Sequence, residues 1–353
     1  MKRIILHIGT SKTGTTALQN FLDTNRNILE KQGIGYYESS KWISEMGAGN
    51  ASFLSHGVIG DVRLPISVGE DAYSRELTSF YTYASKHPVI LLSSESLWAA
   101  GSANREFWPI LKRYFEKSYG KDTDINIIVY LRRQDLFLYS KWKQDLKLFP
   151  YAWDFLEWME KSRNVMQGDY LRQIDCIAEV FGQEHMVVRS YEKDRRSSWD
   201  IIHDFLDASG LPQSNDYIYP KEIGNPSISM SAVTAVIAIQ RGQIEGVERL
   251  DRESWGSVRK AMELFTMMYP ENRHIYPLNP EERKQLVDKY DADNKAVARK
   301  YLGKESLFAD VEADYPVFAE NTDKVAKDAK IIAKLASMPM QRISAIQKMI
   351  QDI

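Results

Sequence analysis

The stretch "IILHIGTSKTGTTALQNFL" (residues 4–22) joins an apolar run, a glycine-containing turn and the start of a helical pattern. An apolar run of this length, followed at once by apolar residues at helical spacing, predicts a buried β-strand over residues 3–8 and a helix over 15–31. Gly9 and Gly14 would let the backbone of the intervening turn approach an anion, and the first amides of the helix would point at it. The stretch therefore predicts a phosphate-binding loop.

The lysine of this loop stands in an unusual place. In loops that bind nucleoside triphosphates, lysine directly follows the second glycine and a serine or threonine comes next. Here Thr15 occupies that position, and Lys12 lies two residues before Gly14. The loop thus predicts either a different phosphate chemistry or a glycine-rich turn that binds no ligand.

The pattern of strand followed by helix continues along the first two-thirds of the chain. Further apolar runs of strand length lie at residues 34–37, 88–94, 125–131 and 186–191. Helical patterns between them lie at residues 72–86, 104–118, 134–148 and 169–181. Near-continuous Val, Ile and Leu runs are typical of strands buried on both faces of a parallel sheet. We therefore expect an α/β fold of the phosphate-loop type, a doubly wound parallel sheet of about five strands with helices on both faces.

The last third of the chain has only helical patterns. They lie at residues 229–241, 249–268, 280–302 and 323–352. We therefore expect an α/β core over residues 1–226 and a helical C-terminal extension over 227–353 that packs on the core.

Composition narrows the class of protein. The chain has 353 residues, of which 44% are hydrophobic and 27% charged, and its net charge of −2 argues against broad nucleic-acid binding. Its single cysteine, Cys176, cannot form an intramolecular disulfide and lies on a helical pattern as a packing residue, so a reducing compartment is expected. The N-terminal apolar run is too short for an export signal, and no run reaches membrane-spanning length. We expect a cytoplasmic protein without an integral membrane segment.

A second cluster of polar residues follows the strand predicted at 125–131. Arg132 ends that strand, and Ser140 lies eight residues later, about two turns into the next helix. A guanidinium and a hydroxyl placed in this way can bind one phosphate together. Arg133 should point the opposite way. The alternative is that both arginines pair with carboxylates such as Asp135.

The segments "SKTGTT" (11–16) and "YLRRQDLFLYS" (130–140) resemble the two nucleotide-binding motifs of the sulfotransferase superfamily. That family takes a sulfuryl group from 3′-phosphoadenosine 5′-phosphosulfate (PAPS). The first motif, which binds the 5′-phosphosulfate, is matched by Lys12, Thr13, Gly14, Thr15 and Thr16, with Ser11 in place of the family's proline.

The second motif of the family binds the 3′-phosphate through an arginine and a serine eight residues apart. Arg132 and Ser140 match it. Tyr191, in "RSYEKD" (189–194), matches a later segment of the family that helps to line the donor site. The resemblance extends over roughly residues 1–210.

The resemblance implies a role for the displaced lysine. In a triphosphate-binding loop the hydroxyl after lysine holds Mg²⁺, whereas the sulfotransferase family needs no metal. Its loop lysine reaches the oxygen that bridges phosphate and sulfate, where charge grows as the nucleotide leaves. Lys12 would therefore stabilise the departing adenosine 3′,5′-bisphosphate. The expected function is transfer of a sulfuryl group from PAPS to a hydroxyl.

The general base expected from the resemblance is a glutamate. Glu95 follows the apolar run of "PVILLSSESLW" (88–98), and some carbohydrate sulfotransferases use glutamate to take the acceptor's proton. The alternative for Glu95 is a residue that only begins a helix, where it favours the helix dipole. His56 is a second candidate base, while His7, inside the first strand, is expected to be a packed core residue.

The chain also departs from the family pattern. Ala17 stands where cytosolic members have tryptophan, and no "RKG" segment occurs late in the chain, although "GNPSIS" (224–229) could supply hydrogen bonds instead. How adenine is held is therefore open.

The acceptor is expected to be a glycan or a glycolipid. Aromatic residues near the predicted cleft could stack on sugars or could simply fill the core; they are Tyr36, Tyr37, Trp42, Trp98, Trp108 and Trp142. Two other functions stay open, a nucleotide kinase and a non-catalytic nucleotide-binding protein.

Overall fold

The computed structural model of the chain describes residues 2–40, 49–55, 58–59, 62–63, 70–191, 200–220, 227–269, 275–309, 316–319 and 321–351. Within these residues the strands are β1 Arg3–His7, β2 Ile34–Tyr36, β3 Val58–Ile59, β4 Val62–Arg63, β5 Val89–Ser93, β6 Asp124–Leu131 and β7 Met186–Ser190. β3 and β4 form a small antiparallel pair of their own. The other five strands form one sheet.

This sheet is wholly parallel, in the order β2-β5-β1-β6-β7. The chain proceeds from β1 to one edge and back through β5, and it then continues on the other side of β1 with β6 and β7. β1 therefore lies where the strand order reverses, and in open α/β sheets the carboxyl ends of the strands at this point form the ligand crevice. The predicted doubly wound α/β sheet of five parallel strands is confirmed.

Both faces of the sheet are buried. Ile5, Leu91 and Ile128 pack on one face against the helices that follow β1 and β7, in a cluster that includes Phe21 and Phe205. The alternating residues of the same strands, such as Leu6 and Leu92, are also fully buried. Since neighbouring residues of a strand point to opposite faces, both faces are covered, which explains the near-continuous apolar runs.

The helices in chain order are α1 Thr15–Thr24, α2 Arg26–Lys31, α3 Glu70–Ser85, α4 Ser96–Ala103, α5 Phe107–Tyr119, α6 Gln134–Leu148, α7 Phe155–Lys161, α8 Tyr170–Phe181, α9 Ile201–Ser209, α10 Met230–Gln240, α11 Trp255–Met268, α12 Pro280–Val297, α13 Thr322–Ala336 and α14 Met340–Gln351. A π-helical turn, Ala298–Leu302, continues α12. Among these helices, none combines the length and the apolar character needed to cross a bilayer.

The single helix predicted over residues 15–31 is wrong in one respect, because the chain breaks at Asn25. The Asn25 side-chain amide donates to the carbonyl oxygens of Phe21 and Ile218, at 2.8 Å each, and its Oδ1 accepts from the Ile218 amide at 2.8 Å. These hydrogen bonds, of which the two to Ile218 are tertiary contacts, hold Asn25 outside helical geometry, so that α1 ends and α2 begins there.

The chain divides into two compact units. The first comprises Met1–Arg133, Met166–Gly224 and Tyr290–Ala309, and the second comprises Gln134–Val165, Asn225–Lys289 and Asp310–Ile353. The division between Gly224 and Asn225 lies two residues before the boundary predicted at 226/227. The other divisions place residues 134–165 in the second unit and residues 290–309 in the first. The sheet and the loop after β1 belong to the first unit.

Candidate functional site

The loop after β1 is fastened to the neighbouring strand β6. The Thr10 hydroxyl donates to the Tyr130 carbonyl oxygen at 2.9 Å, and the Thr13 hydroxyl donates to the Thr10 carbonyl oxygen at 2.6 Å. Both threonines are almost fully buried. The two hydroxyls brace the loop from within, and the binding of the donor by Thr13 stays a prediction.

The loop passes twice through the left-handed region of backbone conformation. Gly14 has a φ of 79°, and Lys12 has a φ of 70°, the only positive φ of a non-glycine residue among those described. A left-handed lysine costs free energy, and such strain concentrates at ligand-binding turns. Left-handed residues in a turn also bring successive backbone N–H groups to one side, which forms a concave site for an anion.

The first turn of α1 completes this anion-binding geometry. Gly14 occupies the N-cap position and brings no capping side chain, and Thr15 and Thr16 form the first turn. Thr16 is exposed, whereas Thr15 is buried. The hydroxyl oxygens of Ser11 and Thr15 are buried and have no hydrogen-bond partner. Unsatisfied buried hydroxyls are rare, because each costs about 1–3 kcal/mol.

Arg132 and Tyr191 meet the same loop from the ends of β6 and β7. The Arg132 guanidinium donates to the Lys12 carbonyl oxygen at 3.3 Å and lies 5.8 Å from the centre of the Tyr191 ring. That ring packs on Gly14, since a Cβ at residue 14 would lie 3.2 Å from Tyr191 Cε2. The structure thus brings together Lys12, Gly14, Arg132 and Tyr191, which belong to three separate segments of the sequence.

Two other residues of the second motif, Arg133 and Ser140, have environments of their own. Arg133 is nearly buried and donates to the Ala309 carbonyl oxygen at 3.4 Å. Ser140 lies in α6, half-buried, in the second compact unit, so its pairing with Arg132 stays a prediction. Asp135, weighed above as a partner of the arginines, forms a buried ion pair with Arg283.

Glu95 lies at the same edge of the sheet as the loop. The backbone pairing of β5 with β1 continues one residue beyond the strands, through a 3.0 Å hydrogen bond from the Ser94 amide to the His7 carbonyl oxygen, and Glu95 follows. Its side chain is half-buried at the N-cap of α4 and makes no capping hydrogen bond. The position is compatible with the predicted base, whose role stays a prediction. His56, the other candidate base, lies outside the described residues.

His7 is a buried residue, as expected, but it is also the centre of a polar network. Its Nδ1 lies 2.9 Å from the Ser93 hydroxyl oxygen, to which the Gln19 amide donates at 3.3 Å. The imidazole is 1% exposed and makes edge contacts with the rings of Tyr130 and Phe205. Burial lowers the pKa of His7 to about 3, so the ring is neutral in the folded protein at neutral pH.

Five of the six aromatic residues considered for sugar stacking lie in the core. The buried ones are Tyr36, Tyr37, Trp98, Trp108 and Trp142, while Trp42 lies outside the described residues. Their faces are therefore used in packing, and they supply no argument for a glycan acceptor.

Two residues of this site escaped the sequence-based prediction. Thr10 stands inside the quoted stretch, where a hydroxyl directly after Gly9 was the available signal. The Tyr170 hydroxyl donates to the Arg132 carbonyl oxygen at 2.6 Å. Because Tyr170 is 38 residues from Arg132 in sequence, no local pattern could have identified it.

A group of three or more His, Cys, Asp or Glu side chains able to hold a metal ion is absent from the part of the chain that the structure describes.

Comparisons with known proteins give partial similarities. No family model matches the chain. An uncharacterized protein of Archaeoglobus fulgidus is 26% identical over 204 residues, which make up 57% of this chain and 52% of that protein. The match thus spans about half the length of this relative. A crystal structure of a sulfotransferase from Alicyclobacillus acidocaldarius aligns with 72% of this chain and 99% of its own, at 19% identity and a TM-score of 0.38.

Proposed function

We propose that this protein is a sulfotransferase that moves a sulfuryl group from PAPS to a hydroxyl of an acceptor. One observation carries the proposal: the three segments that resemble the family's donor-binding motifs meet at the carboxyl edge of the sheet. The Lys12 carbonyl oxygen accepts from Arg132, whose guanidinium lies over Tyr191, and the Tyr191 ring packs on Gly14. Nothing in a generic strand-turn-helix unit requires this combination.

The residues of the loop suit a bound phosphosulfate. Left-handed backbone at Lys12 and Gly14 turns the loop around an anion, and the first turn of α1 adds its positive dipole end. Thr15, Thr16, Ser11 and the loop amides would hold the 5′-phosphate. Arg132 and Ser140 would hold the 3′-phosphate, which suits the planar fork of a guanidinium.

In the proposed reaction, the acceptor oxygen attacks sulfur in line with the bond to the leaving phosphate. As the new S–O bond forms, the bond between sulfur and the bridging oxygen breaks and leaves negative charge on the nucleotide. The Lys12 ammonium stabilises that charge, and the Glu95 carboxylate takes the acceptor's proton. Adenosine 3′,5′-bisphosphate and the sulfated acceptor are the products, and the reaction as proposed requires no metal ion.

We propose a hydroxyl of a glycan or a glycolipid as the acceptor, because a glutamate base resembles that of some carbohydrate sulfotransferases. The protein is proposed to act in the cytoplasm.

Calorimetry with adenosine 3′,5′-bisphosphate and with Mg-ATP tests the donor class. We expect the bisphosphate to bind and Mg-ATP to bind far more weakly, because the loop lacks the lysine-hydroxyl pair of triphosphate-binding loops. Tighter binding of Mg-ATP would favour a nucleotide kinase instead. Donor labelled in the sulfate, incubated with a panel of saccharides and glycolipids, then identifies the acceptor.

Arg132→Ala should weaken binding of the bisphosphate by about 1.5–3 kcal/mol, the usual value of a hydrogen bond to a charged group. Arg132→Lys is the matched control, since it keeps the charge but loses the fork, and should recover only part of the affinity. Calorimetry with adenosine 5′-phosphate, which lacks the 3′-phosphate, should show no loss for either variant. An equal loss for both nucleotides would contradict the assignment of Arg132 to the 3′-phosphate.

A further inference from the structure

Two buried polar atoms face the same glycine of the loop and have no hydrogen-bond partner. They are His7 Nε2 and Thr15 Oγ1. A Cβ at Gly9 would lie 2.9 Å from His7 Nε2 and 3.5 Å from Thr15 Oγ1. Both atoms therefore border the side of Gly9 where any other residue would carry its side chain. Buried polar atoms without a partner are rare, so two of them on the same side of one glycine require a physical account.

The hydrogen bonds behind His7 determine which of its nitrogens carries the proton. Ser93 Oγ accepts from the Gln19 amide at 3.3 Å, and His7 Nδ1, 2.9 Å away, is its one other hydrogen-bond partner among the residues that the structure describes. Because the Ser93 hydroxyl proton needs an acceptor, it is donated to His7 Nδ1. Nδ1 is then the acceptor, and the proton of the neutral ring resides on Nε2. The nitrogen that borders Gly9 is thus an N–H donor directed toward the loop.

His7 and the residues that hydrogen-bond to it are held in fixed positions. His7 and Ser93 end the paired strands β1 and β5 in direct register. The Asn50 side chain holds the Ser93 amide at 2.8 Å. Both His7 and Ser93 are almost fully buried, so their orientation is fixed by packing and by hydrogen bonds together. Thr15, the other residue that borders Gly9, is the first residue of α1 and comes directly after the left-handed Gly14.

We propose that His7 is a positioning residue of the donor-binding loop: when the donor is bound, its Nε2–H donates to the Thr15 hydroxyl oxygen across the face of Gly9. The Thr15 hydroxyl proton is then directed at the anion. Each group in the series Gln19, Ser93, His7 and Thr15 donates to the next, and the last donates to an oxygen of the 5′-phosphate. Gly9 is required because a side chain there would separate His7 from Thr15.

This inference rests on the proposed function for the identity of its ligand, but the position of the His7 proton can be tested in the ligand-free protein. Protein labelled with ¹⁵N in histidine reports the protonation of each ring nitrogen, and the His7 signals among the six histidines are assigned by their loss in His7→Gln. In the ligand-free protein at pH 7 we expect an unprotonated Nδ1 and a protonated Nε2. Saturating adenosine 3′,5′-bisphosphate should move the Nε2 proton downfield and slow its exchange with water.

Variants test the coupling between His7 and Thr15. His7→Asn retains a polar group near the Nδ1 position but does not reach Thr15, and it should weaken bisphosphate binding about fivefold, the value of one neutral hydrogen bond. His7→Gln, whose amide reaches the Nε2 position, should bind nearly as well as the unaltered protein. In a Thr15→Val background, His7→Asn should cause no additional loss.

The outcomes separate this inference from the proposed function. A protein that does not bind the bisphosphate would contradict the proposed function. A protein that binds it but carries the His7 proton on Nδ1 would overturn only the role of His7. The role of His7 would also be overturned if saturating bisphosphate left the Nε2 proton signal unchanged. Equal losses of bisphosphate affinity from His7→Asn in the Thr15 protein and in the Thr15→Val background would overturn it as well.

Discussion

Lys12 combines a proposed chemical role with an unfavourable backbone conformation. Its φ of 70° is a region in which a side chain is strained by roughly 1–2 kcal/mol. A glycine would adopt this conformation freely, whereas a lysine destabilises the fold there. A requirement for the ammonium group at this position would account for the lysine. The strain is thus an argument for function that is independent of the sequence motif.

Lys12→Gly should therefore separate stability from activity. We expect it to raise the free energy of unfolding by about 0.5–1 kcal/mol, since relief of the strain exceeds the added flexibility of the unfolded chain. Turnover should fall about 10²–10³-fold, the usual effect of losing one preorganised donor. Lys12→Ala is the matched control, with the same loss of turnover and no gain in stability. Urea unfolding and sulfate-transfer assays measure the two effects, and near-normal turnover in either variant would contradict the mechanism.

His7 makes a second prediction, about the pH dependence of stability. Its pKa is lowered from 6.5 to about 3 by burial, so below pH 6.5 the unfolded chain binds a proton that the folded protein excludes. The contribution of His7 is fully present above pH 6.5 and is lost as pH falls toward 3, by up to about 1.4 kcal/mol per pH unit. His7→Gln removes this titration. Between pH 6.5 and about 5, the free energy of unfolding of this variant should fall less steeply with decreasing pH than that of the unaltered protein. The difference between the two slopes should approach one proton, about 1.4 kcal/mol per pH unit, as the pH nears 5. Equal slopes would show that His7 titrates alike in both states.

The helix α1 depends on the glycine that precedes it. Gly14 has a φ of 79°, and a Cβ there would lie 3.2 Å from Tyr191 and 3.4 Å from Ile201. A side chain at this position would be strained and would also push against the ring that contacts Arg132. The start of α1 is therefore linked to the ends of β6 and β7 through the absence of one side chain.

Gly14→Ala should lower the free energy of unfolding by about 1–3 kcal/mol and weaken bisphosphate binding as well. Gly303→Ala is its matched control, because Gly303 is also left-handed, with a φ of 63°, but nothing lies within 4 Å of its added Cβ. That control should lose about 1–2 kcal/mol of stability and retain its affinity for the bisphosphate. If both variants bind alike, Gly14 serves only the backbone turn.

Those elements that local patterns determine could be predicted from the sequence, and those that tertiary contacts determine could not. The five strands of the sheet were predicted to within one residue at each end, because each is a short, mostly apolar run. The break between α1 and α2 was missed, since it depends on hydrogen bonds between Asn25 and Ile218, 193 residues apart. The helix predicted over 323–352 is likewise two helices, with Pro339 between them, which cannot supply an amide to a continuing helix.

The same limit applies to the site. The sequence identified Lys12, Gly14, Arg132 and Tyr191 because each stands in a short motif. The support Thr10 was missed although its hydroxyl directly follows Gly9. The support Tyr170 was missed because a hydroxyl bonded to a distant carbonyl leaves no periodic or spacing signal. The left-handed conformation of Lys12 was also out of reach, because lysine has no preference for it.

Across the whole chain, the two compact units are not consecutive in sequence. The first unit takes its last segment, Tyr290–Ala309, from the helical third of the chain. The Lys300 ammonium and the Tyr301 hydroxyl both contact the Asp175 carboxylate, at 2.9 and 2.6 Å, and the Gln183 amide donates to the Lys300 carbonyl oxygen at 2.9 Å. The π-helical turn Ala298–Leu302 also packs on β7. A fragment ending at residue 226 would lack all of these contacts.

Native-state hydrogen exchange on the intact protein tests this division. Amides in Ala298–Leu302 should open together with those of β7, with one shared free energy and one dependence on urea, because both belong to the first unit. Amides of α11 and α13, which pack together in the second unit, should form a separate group. α12 is the informative element, since the division falls between its residues Lys289 and Tyr290. Exchange of Ala298–Leu302 with α11 and α13 would instead assign the whole helical third to one cooperative unit, as a boundary at residue 226 requires.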